Sequence, residues 1–499
     1  MESEVRTQGV GYSVALDPGR KNEELYKLLT SVLPKAAKIP VIRHKTADRF
    51  LRALCEDAER KIAEEVLSPG VAYDRRDFGL ALVGTVERAL AEGRLSPMVI
   101  DRAFNVLVGE AMINQGDQAV KAAFREQYGQ NPPSFMVISP GKGCNLRCKG
   151  CYSASDHTVK NLAWPVFNGL VEQVHDLWGG RFVVISGGEP LCYRDQGKGL
   201  LDMAKAHPEM FFMFYTNGTL IDDAAAERMG QMGNIMPAIS VEGMHEETDA
   251  RRGEGVFDQV LEAFSNLRKH KVLFGISLTA TKENADMLLS DEVVDFYFGE
   301  QGAFFAWVFH YMPIGRNFTL EMMPTPAQRH RLYEQAWKQI REKQVFIADF
   351  WNSGTLVGGC ISSGRSGGYF YVDWNGNMSP CVFVPYAPLN VNDLFADGLT
   401  INDAWSHPFF ADMRQWQNDF GCEPKAMRKD CGNWLTPCPI RDNHAAFRAI
   451  LEKNNPVPMD GNAAAALCDD SYRLGMIRFD EALSSEMDPV WGQKYQYPG

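Results

Sequence analysis

The amino-acid sequence predicts an α/β protein built on a partial (β/α)6 barrel that is open on one side. A helical N-terminal domain precedes the barrel, and a small cysteine-rich domain follows it. From residue 134 to about residue 345, short apolar runs alternate with helical stretches, a pattern typical of parallel strands covered by helices. Before this region apolar residues recur at helical spacing, and after it glycine, serine and cysteine become frequent.

The domain boundaries follow these changes in pattern. The turn-rich segment 127–133 (QYGQNPP) marks the first boundary. The pattern after residue 450 is irregular and predicts no specific elements. We therefore expect domains at 1–132, 133–345 and 346–450 and a C-terminal tail at 451–499. In the N-terminal domain the predicted helices are 23–33, 47–65, 77–92 and 97–113.

The barrel elements are short strands separated by helices. Right-handed crossovers are the rule for such units, which leaves few other arrangements. After the barrel, Asn375-Gly376 lies between two apolar runs and predicts a β-hairpin. The predicted strands are 134–139, 182–186, 210–218, 237–243, 275–281 and 304–313, and the helices between them include 164–177, 224–232, 256–270 and 326–342.

Composition narrows the class of protein. The 499 residues carry a net charge of −12, which argues against a nucleic-acid partner. No apolar run is long enough for a transmembrane segment, and the N-terminus has no signal-peptide core. The 11 cysteines are mostly clustered, which favours metal binding in a reducing compartment, so we expect a cytoplasmic protein. The basic, apolar stretch 32–43 leaves a peripheral membrane contact open.

Three cysteines in one loop give the strongest chemical signal. Cys144, Cys148 and Cys151 form the pattern C-x3-C-x2-C directly after the first predicted strand. Three thiolates can hold three corners of a [4Fe–4S] cube and leave the fourth iron without a protein ligand. The carboxyl end of a strand is also where α/β folds bind ligands. Zinc is the alternative, but it needs four ligands and no His or fourth Cys lies nearby.

A second signal follows the second predicted strand, in 186–190 (SGGEP). Gly187 and Gly188 allow the backbone to approach a ligand closely, and Glu189 supplies a hydrogen-bond acceptor. A Gly-Gly turn after a strand is usually only a turn. Its place on the same rim as the cysteine loop makes it a candidate binding segment.

The cysteine triad followed by the aromatic Tyr152, together with the GGEP run, resembles the radical SAM superfamily. The segments 239–243 (ISVEG), 249–257 (DARRGEGVF) and 311–315 (YMPIG) resemble further motifs of that family, with Glu242 in place of the usual Asp. The resemblance covers roughly residues 134–345. It implies a TIM-like partial barrel that binds S-adenosylmethionine (SAM).

The resemblance also implies a role for each matching residue. Cys144, Cys148 and Cys151 would ligate the [4Fe–4S] cluster, and SAM would chelate its open iron. Gly187, Gly188 and Glu189 would receive the SAM amino group, next to Tyr152. The SAM carboxylate and ribose would contact Ser240, Glu242 and Arg252. The implied reaction is reductive cleavage of SAM to a 5′-deoxyadenosyl radical, which takes hydrogen from a substrate C–H bond.

The C-terminal cysteines give a third signal. Cys360 and Cys381 lie in a C-x15-G-x4-C pattern that resembles the opening of a SPASM or twitch domain, which carries auxiliary iron–sulfur clusters. The following C-x8-C-x6-C, formed by Cys422, Cys431 and Cys438, departs from the full SPASM pattern. We therefore expect one auxiliary [4Fe–4S] cluster, held by Cys360, Cys381 and two of the later three. A structural zinc in the same cage is the alternative.

Taken together, these signals predict a radical SAM oxidoreductase that modifies a peptide or small molecule by an oxidative or bond-forming reaction. A one-electron donor such as flavodoxin or ferredoxin would reduce it. Two alternatives stay open. One is radical modification or carbon–carbon coupling of a lipid, and the other is a non-catalytic iron–sulfur electron carrier or zinc module. The sequence assigns no catalytic acid or base.

Overall fold

A computed structural model of the protein describes residues 40–113, 117–423 and 425–497. The predicted helix 23–33 lies outside the described residues, as does most of the stretch 32–43. No helix in the described ranges combines the length and apolar character needed to cross a bilayer.

The N-terminal part is helical, as predicted. One helix begins after Ser96, whose side chain accepts a hydrogen bond from the Val99 N–H at 3.1 Å. It continues as a π-helical segment to Ile113. Within residues 40–113 and 117–132 the α-helices are α1 (Pro40–Ala63), α2 (Pro69–Ala91), α3 (Pro97–Arg102) and α4 (Gln118–Tyr128), of which the sequence predicts all but α4.

The six predicted barrel strands are all present, and a seventh follows them. The helices between them cover the sheet, as in other parallel α/β folds. The strands are β1 (Phe135–Ile138), β2 (Phe182–Ile185), β3 (Phe211–Thr216), β4 (Ile235–Val241), β5 (Gly275–Ala280), β6 (Phe305–His310) and β7 (Phe346–Asp349). The intervening helices are α5 (Trp164–Trp178), α6 (Leu200–Ala206), α7 (Asp223–Met232), α8 (His245–Arg252), α9 (Val256–Lys269), α10 (Asp291–Val294) and α11 (Pro326–Glu342).

The cysteine-rich part adds short strands and helices. Its hairpin turns at 373–376, where Gly376 has a φ of +86° and the Asp373 carboxylate accepts the Asn375 N–H at 2.8 Å. The long helix at the chain's end falls in the tail to which the sequence assigns no element. The elements are α12 (Gly354–Val357), β8 (Tyr369–Val372), β9 (Asn377–Ser379), β10 (Tyr386–Ala387), β11 (Leu389–Asn390), α13 (Val391–Ala396), α14 (Ile401–Trp405), α15 (Pro408–Asp419), α16 (Pro439–Asp442), α17 (His444–Asn454), β12 (Val457–Pro458), α18 (Gly461–Cys468) and α19 (Asp470–Lys494).

One sheet joins the barrel to the cysteine-rich part. Its strand order is β11-β9-β8-β1-β2-β3-β4-β5-β6-β7, and β8 runs parallel to β1 with Phe135 opposite Tyr369. The sheet stays open because β7 and β11 are its two edges. This confirms the α/β class and the partial barrel. The predicted hairpin is therefore an extension of the barrel sheet, and the division into domains stays a prediction.

The barrel has an apolar wall on both faces of its strands. Successive side chains of a strand alternate between the faces. On β1, Met136 and Ile138 pack under the helices, while Phe135 and Val137 face an internal cavity. The cavity is the feature that positions the site described below.

A buried ion pair fastens the cysteine-rich part to the barrel helix α11. The guanidinium of Arg329 pairs with the Asp442 carboxylate, with Nη2 to Oδ2 at 2.9 Å, and neither side chain is exposed. The same nitrogen donates to the Leu435 carbonyl at 2.7 Å. Burial acts to raise the pKa of Asp442, but Arg329 and Arg441 outweigh it and hold that pKa below its usual range. Asp442 is therefore a buried carboxylate that depends on its arginine partners.

We expect Arg329→Met to lower the free energy of unfolding by about 3–5 kcal/mol, because it leaves the buried Asp442 charge short of compensation. Urea unfolding followed by circular dichroism measures the change. The control is Arg331→Met on the same helix, whose ion pair with Asp286 is about half exposed and should contribute less than about 1 kcal/mol. Equal losses in the two variants would contradict the proposed anchor.

Candidate active site

The cysteine loop lies at the carboxyl rim of the barrel, directly after β1. The 186–190 segment follows β2 on the same rim, and Ser240 lies near the end of β4. These segments surround a cavity of about 480 Å³. Of the sequence-predicted residues, the structure brings Cys144, Cys148, Cys151, Tyr152, Gly187, Gly188, Glu189, Ser240 and Arg252 to its wall.

The two glycines hold the second loop tightly under the cysteine loop. The N–H of Gly188 donates to the Gly141 carbonyl at 3.0 Å, and the N–H of Glu189 donates to the Gly143 carbonyl at 2.9 Å. A Cβ at Gly188 would stand 2.2 Å from the Gly143 carbonyl oxygen, and Gly187 has a φ of +113°. Both positions therefore need glycine for contact between the loops, in addition to any contact with a ligand.

Glu189 ties three segments of the rim together. Its carboxylate accepts hydrogen bonds from the Leu191 N–H at 3.0 Å, the Thr216 hydroxyl at 2.8 Å and the Asn217 N–H at 2.8 Å. Burial raises its pKa above the usual range. Both oxygens are thus engaged by the protein, so Glu189 fixes the shape of the rim while lining the cavity.

Tyr152 forms hydrogen bonds with the loop that follows β2. Its hydroxyl lies 2.5 Å from the Ser186 hydroxyl and accepts the Gly187 N–H at 3.2 Å. Burial raises the pKa of this phenol, so it stays neutral. Through these bonds Tyr152 couples the cysteine loop to the Gly-Gly loop.

Glu242 contacts two arginines, Arg251 and Arg252, near the rim. Its Oε1 accepts from Arg251 Nη1 and from Arg252 Nε, the latter at 2.9 Å, and the side chain is fully buried. Two buried atoms of this group, Glu242 Oε2 and Arg251 Nε, have no hydrogen-bond partner within the described ranges. Arg251 lines the cavity with Arg252, although the sequence singles out only Arg252. The feature of the sequence that could have identified Arg251 is its position next to Arg252, in what the structure shows to be the last turn of α8.

A second group of cysteines, from the C-terminal part of the chain, lines the same cavity. Cys360, Cys381 and Cys438 line it, and burial raises the pKa of Cys381 to about 12. Cys422 packs against Gly359, where an added Cβ would stand 2.5 Å from its sulfur. Cys431 lies next to Gly421 and is close enough to Cys422 to influence its pKa. The structure therefore brings these five cysteines near one another, and three of them line the cavity.

Residues 138–289 match the family described as the Radical SAM superfamily. The chain is a radical SAM enzyme. Its cofactors are SAM and a [4Fe–4S] cluster. The fold, with the cysteine loop at the carboxyl rim of a partial barrel, agrees with this assignment.

Three relatives show how far the similarity extends. Mycofactocin maturase MftC of Mycolicibacterium smegmatis is 27% identical over 306 residues, which is 59% of this chain and 76% of the relative. Fe-coproporphyrin III synthase of Methanosarcina barkeri is 29% identical over 163 residues, 32% of this chain and 40% of the relative. A cysteine-type anaerobic sulfatase-maturating enzyme of Clostridium perfringens is 29% identical over 171 residues, 31% of this chain and 46% of the relative.

The cysteine loop of this radical SAM enzyme provides hydrogen bonds to two of its cysteine sulfurs, as expected for thiolates that ligate a cluster. Hydrogen bonds to sulfur stabilise the negative charge of such ligands. The Leu146 N–H donates to the Cys144 sulfur at 3.4 Å, and the Ser153 hydroxyl lies 3.3 Å from the Cys151 sulfur. Burial raises the pKa of Cys144 to about 12. For Cys151, burial is outweighed by hydrogen bonds from Ser153 and Ser155, which hold its pKa below the usual value.

Within residues 40–113, 117–423 and 425–497, no three His, Cys, Asp or Glu side chains converge tightly enough to hold a single metal ion. A cluster of four irons and four sulfides occupies the space between its thiolates, so its ligands stand further apart than those of one ion. The spread-out cysteine loop has the donor set and the neighbouring cavity that a cluster with an open corner requires.

His310 lines the cavity but has both ring nitrogens occupied. Nε2 lies 3.0 Å from Asp349 Oδ2, and the Arg441 guanidinium donates to Nδ1 at 3.0 Å. Burial lowers the pKa of His310 to about 4, so the ring is neutral with its proton on Nε2. Because both ring nitrogens are hydrogen-bonded within the protein, we assign His310 a structural role in the cavity wall.

Proposed function

We propose that this enzyme removes a hydrogen atom from a substrate C–H bond held in the cavity lined by its two groups of cysteines. The observation that supports this is a single cavity whose lining includes both Cys144, Cys148 and Cys151 and Cys360, Cys381 and Cys438. A substrate in this space would lie near both groups.

The proposed cofactor sites follow from these positions. Cys144, Cys148 and Cys151 would hold the SAM-binding cluster, and Cys360, Cys381 and two of Cys422, Cys431 and Cys438 would hold an auxiliary one. When bound, SAM and its cluster supply a 5′-deoxyadenosyl radical, and the auxiliary cluster supplies an electron acceptor that makes the net reaction oxidative.

The protein's own residues would bind and orient SAM at the rim. Arg251 and Arg252 offer guanidinium donors that suit a carboxylate, and Ser240 offers a hydroxyl for the ribose. Glu242 would hold the two guanidinium groups in place, since its Oε1 already accepts from both. The backbone of Gly187 and Gly188 would receive the amino group, because the Glu189 oxygens are engaged by the rim.

A peptide or small molecule is the first candidate substrate. The names of the relatives support both classes, since one matures a sulfatase and another makes Fe-coproporphyrin III. A volume of about 480 Å³ lies in the usual range for sites that bind small molecules or a few side chains of a peptide.

A lipid is the second candidate, and the lining of the cavity favours it. The cavity reaches from the cysteine loop to Phe135 at the opposite end of β1, about 10 Å at the usual rise of a strand. Along this length the wall is mainly apolar, and at its far end Phe78 of α2 packs against Phe346 with 4.7 Å between ring centroids. The other large apolar residues of the lining include Phe182, Met213, Trp307, Phe309, Phe350, Trp351, Leu356 and Phe383.

Such a wall stabilises hydrocarbon by about 25 cal/mol for each Å² removed from water. It offers few partners for the polar backbone of a peptide, since an unpaired buried amide is costly. The hydroxyl groups of Ser240, Ser277 and Thr279 lie on the β4 and β5 side. The cavity would therefore hold a hydrocarbon segment along most of its length and polar groups near one side.

Transfer of deuterium from substrate to 5′-deoxyadenosine tests the function and both candidates at once. The reconstituted, reduced enzyme is incubated anaerobically with SAM and with lipid, peptide or small polar fractions from source cells grown in deuterated water. We expect 5′-deoxyadenosine to form and to gain deuterium with one fraction, which mass spectrometry identifies. Unlabelled fractions are the control.

Each outcome has a defined meaning. Deuterium from the lipid fraction alone would support the second candidate, and deuterium from the peptide or polar fraction would support the first. Formation of no 5′-deoxyadenosine by enzyme that carries its full iron content would contradict the proposed function itself.

A further inference from the structure

Two tyrosines on strand β8, two residues apart, are both buried, but their hydroxyl groups contact different partners. Tyr369 and Tyr371 are 1% and 3% exposed. The Tyr371 hydroxyl donates to the Ser139 hydroxyl at 2.9 Å and not to a sulfur. The Tyr369 hydroxyl lies 2.9 Å from the Cys381 sulfur. Tyr371 can therefore serve as a control for Tyr369, because only the Tyr369 hydroxyl contacts a sulfur.

The position of Tyr369 is fixed by the sheet. It pairs with Phe135 in the β1–β8 register, and its ring stacks on the Phe135 ring with centroids 5.1 Å apart and planes 13° apart. The hydroxyl is therefore held toward Cys381 by backbone pairing and by ring packing. A donor held in this way loses little side-chain entropy when it bonds to sulfur.

The surroundings make this hydrogen bond strong. Cys381 is 9% exposed, and Phe383, whose N–H donates to the same sulfur at 3.5 Å, presents an aromatic ring to the cavity. In a buried, water-poor site a hydrogen bond is electrostatically stronger than in water. An ionised sulfur strengthens it further, because one partner then carries a charge.

We propose that Tyr369 tunes the reduction potential of an auxiliary cluster bound through Cys381. This inference rests on the auxiliary cluster of the proposed function. Reduction adds negative charge to a cluster and its thiolates, and a hydrogen-bond donor stabilises that added charge. The Tyr369 hydroxyl therefore raises the potential and makes the auxiliary cluster a better electron acceptor. Tyr369 is a positioning residue that acts through Cys381.

The test compares Tyr369→Phe with the matched control Tyr371→Phe in the full-length enzyme with its clusters reconstituted. A potentiometric titration followed by electron paramagnetic resonance measures each cluster, and added SAM identifies the signal of the cluster it binds. We expect Tyr369→Phe to weaken reduction of the auxiliary cluster about tenfold, which is about 59 mV for one electron. We expect no shift in the SAM-binding cluster, and none in either cluster of Tyr371→Phe.

A second substitution protects the test against a variant that loses its cluster. Replacing Tyr369 by 3,5-difluorotyrosine keeps the ring and makes the hydroxyl a stronger donor, so the potential should rise. An unchanged potential in either Tyr369 variant with full iron content would overturn the inference, as would equal shifts in the two phenylalanine variants. Wild-type enzyme with iron for one cluster only would overturn the auxiliary cluster of the proposed function, and this inference with it.

Discussion

The Cys148→Ala variant is expected to form no detectable 5′-deoxyadenosine from SAM under reducing conditions, while keeping its fold. Cys148 would supply one of the three thiolates that hold the cluster, so its loss would leave a second iron without a protein ligand, in addition to the open one. The side chain is half-buried in a loop at the cavity wall. Its removal therefore creates little new cavity and should change stability by less than about 1 kcal/mol.

Three measurements check this expectation. Liquid chromatography quantifies 5′-deoxyadenosine, an iron assay counts the metal, and thermal unfolding reports stability. The control is Cys468→Ala, which removes an exposed cysteine on α18 outside both groups and should behave as wild type. If Cys148→Ala still cleaves SAM at the wild-type rate, then Cys148 is not a ligand of the cluster that binds SAM.

The Cys381→Ala variant is expected to lose about four irons per chain and to retain SAM cleavage. Without Cys381 the cage that would hold the auxiliary cluster with four thiolates has only three, so this cluster should be lost, whereas the three thiols of the cysteine loop are unchanged. Cys381 is buried, whereas the other four members of the C-terminal group are half-buried. Substrate oxidation should then fall steeply even though 5′-deoxyadenosine is still made.

Metal analysis also separates the two candidate occupants of the C-terminal group. Loss of about four irons and four sulfides supports the auxiliary cluster, whereas loss of about one zinc supports the structural zinc site. Cys468→Ala again serves as the control. Unchanged metal content in Cys381→Ala would mean that Cys381 binds neither.

The barrel and its rim could be predicted from sequence because the signals there are local. Short apolar runs mark β1 to β6, and the cysteine and Gly-Gly loops each follow a strand within a few residues. Ligation by Cys144, Cys148 and Cys151 remains a prediction, although the structure places all three at the cavity. Sequence also identified the hairpin around Gly376 through its turn chemistry.

Other features depend on contacts between distant residues. Pairing of β8 with β1 joins residues more than 200 positions apart, and no local pattern specifies it. The sequence does not predict the strand β7, because it stands where the composition changes and the alternation of strands and helices ends. Helix α19 does carry a signal, since Tyr472, Met476, Leu483, Met487 and Val490 recur at helical spacing, but Pro489 and many charged residues obscure it.

For the residues of the rim, too, the sequence does not reveal contacts between side chains that are distant in sequence. The sequence indicates that Glu189 is an acceptor but does not reveal that Thr216 and Asn217 use its oxygens. Likewise, it points to Arg252 but not to Arg251, because only the packing of α8 against Glu242 brings both guanidinium groups to one carboxylate.

The pairing of β8 with β1 has a consequence for electron transfer. The loop after β1 carries one set of thiols, and the turn after β9, next to β8, carries Cys381. Both loops are attached to strands of one continuous hydrogen-bonded sheet, in which only β8 lies between β9 and β1. Any tunnelling distance between metal centres at these two places would thus be set during folding and would vary little with thermal motion.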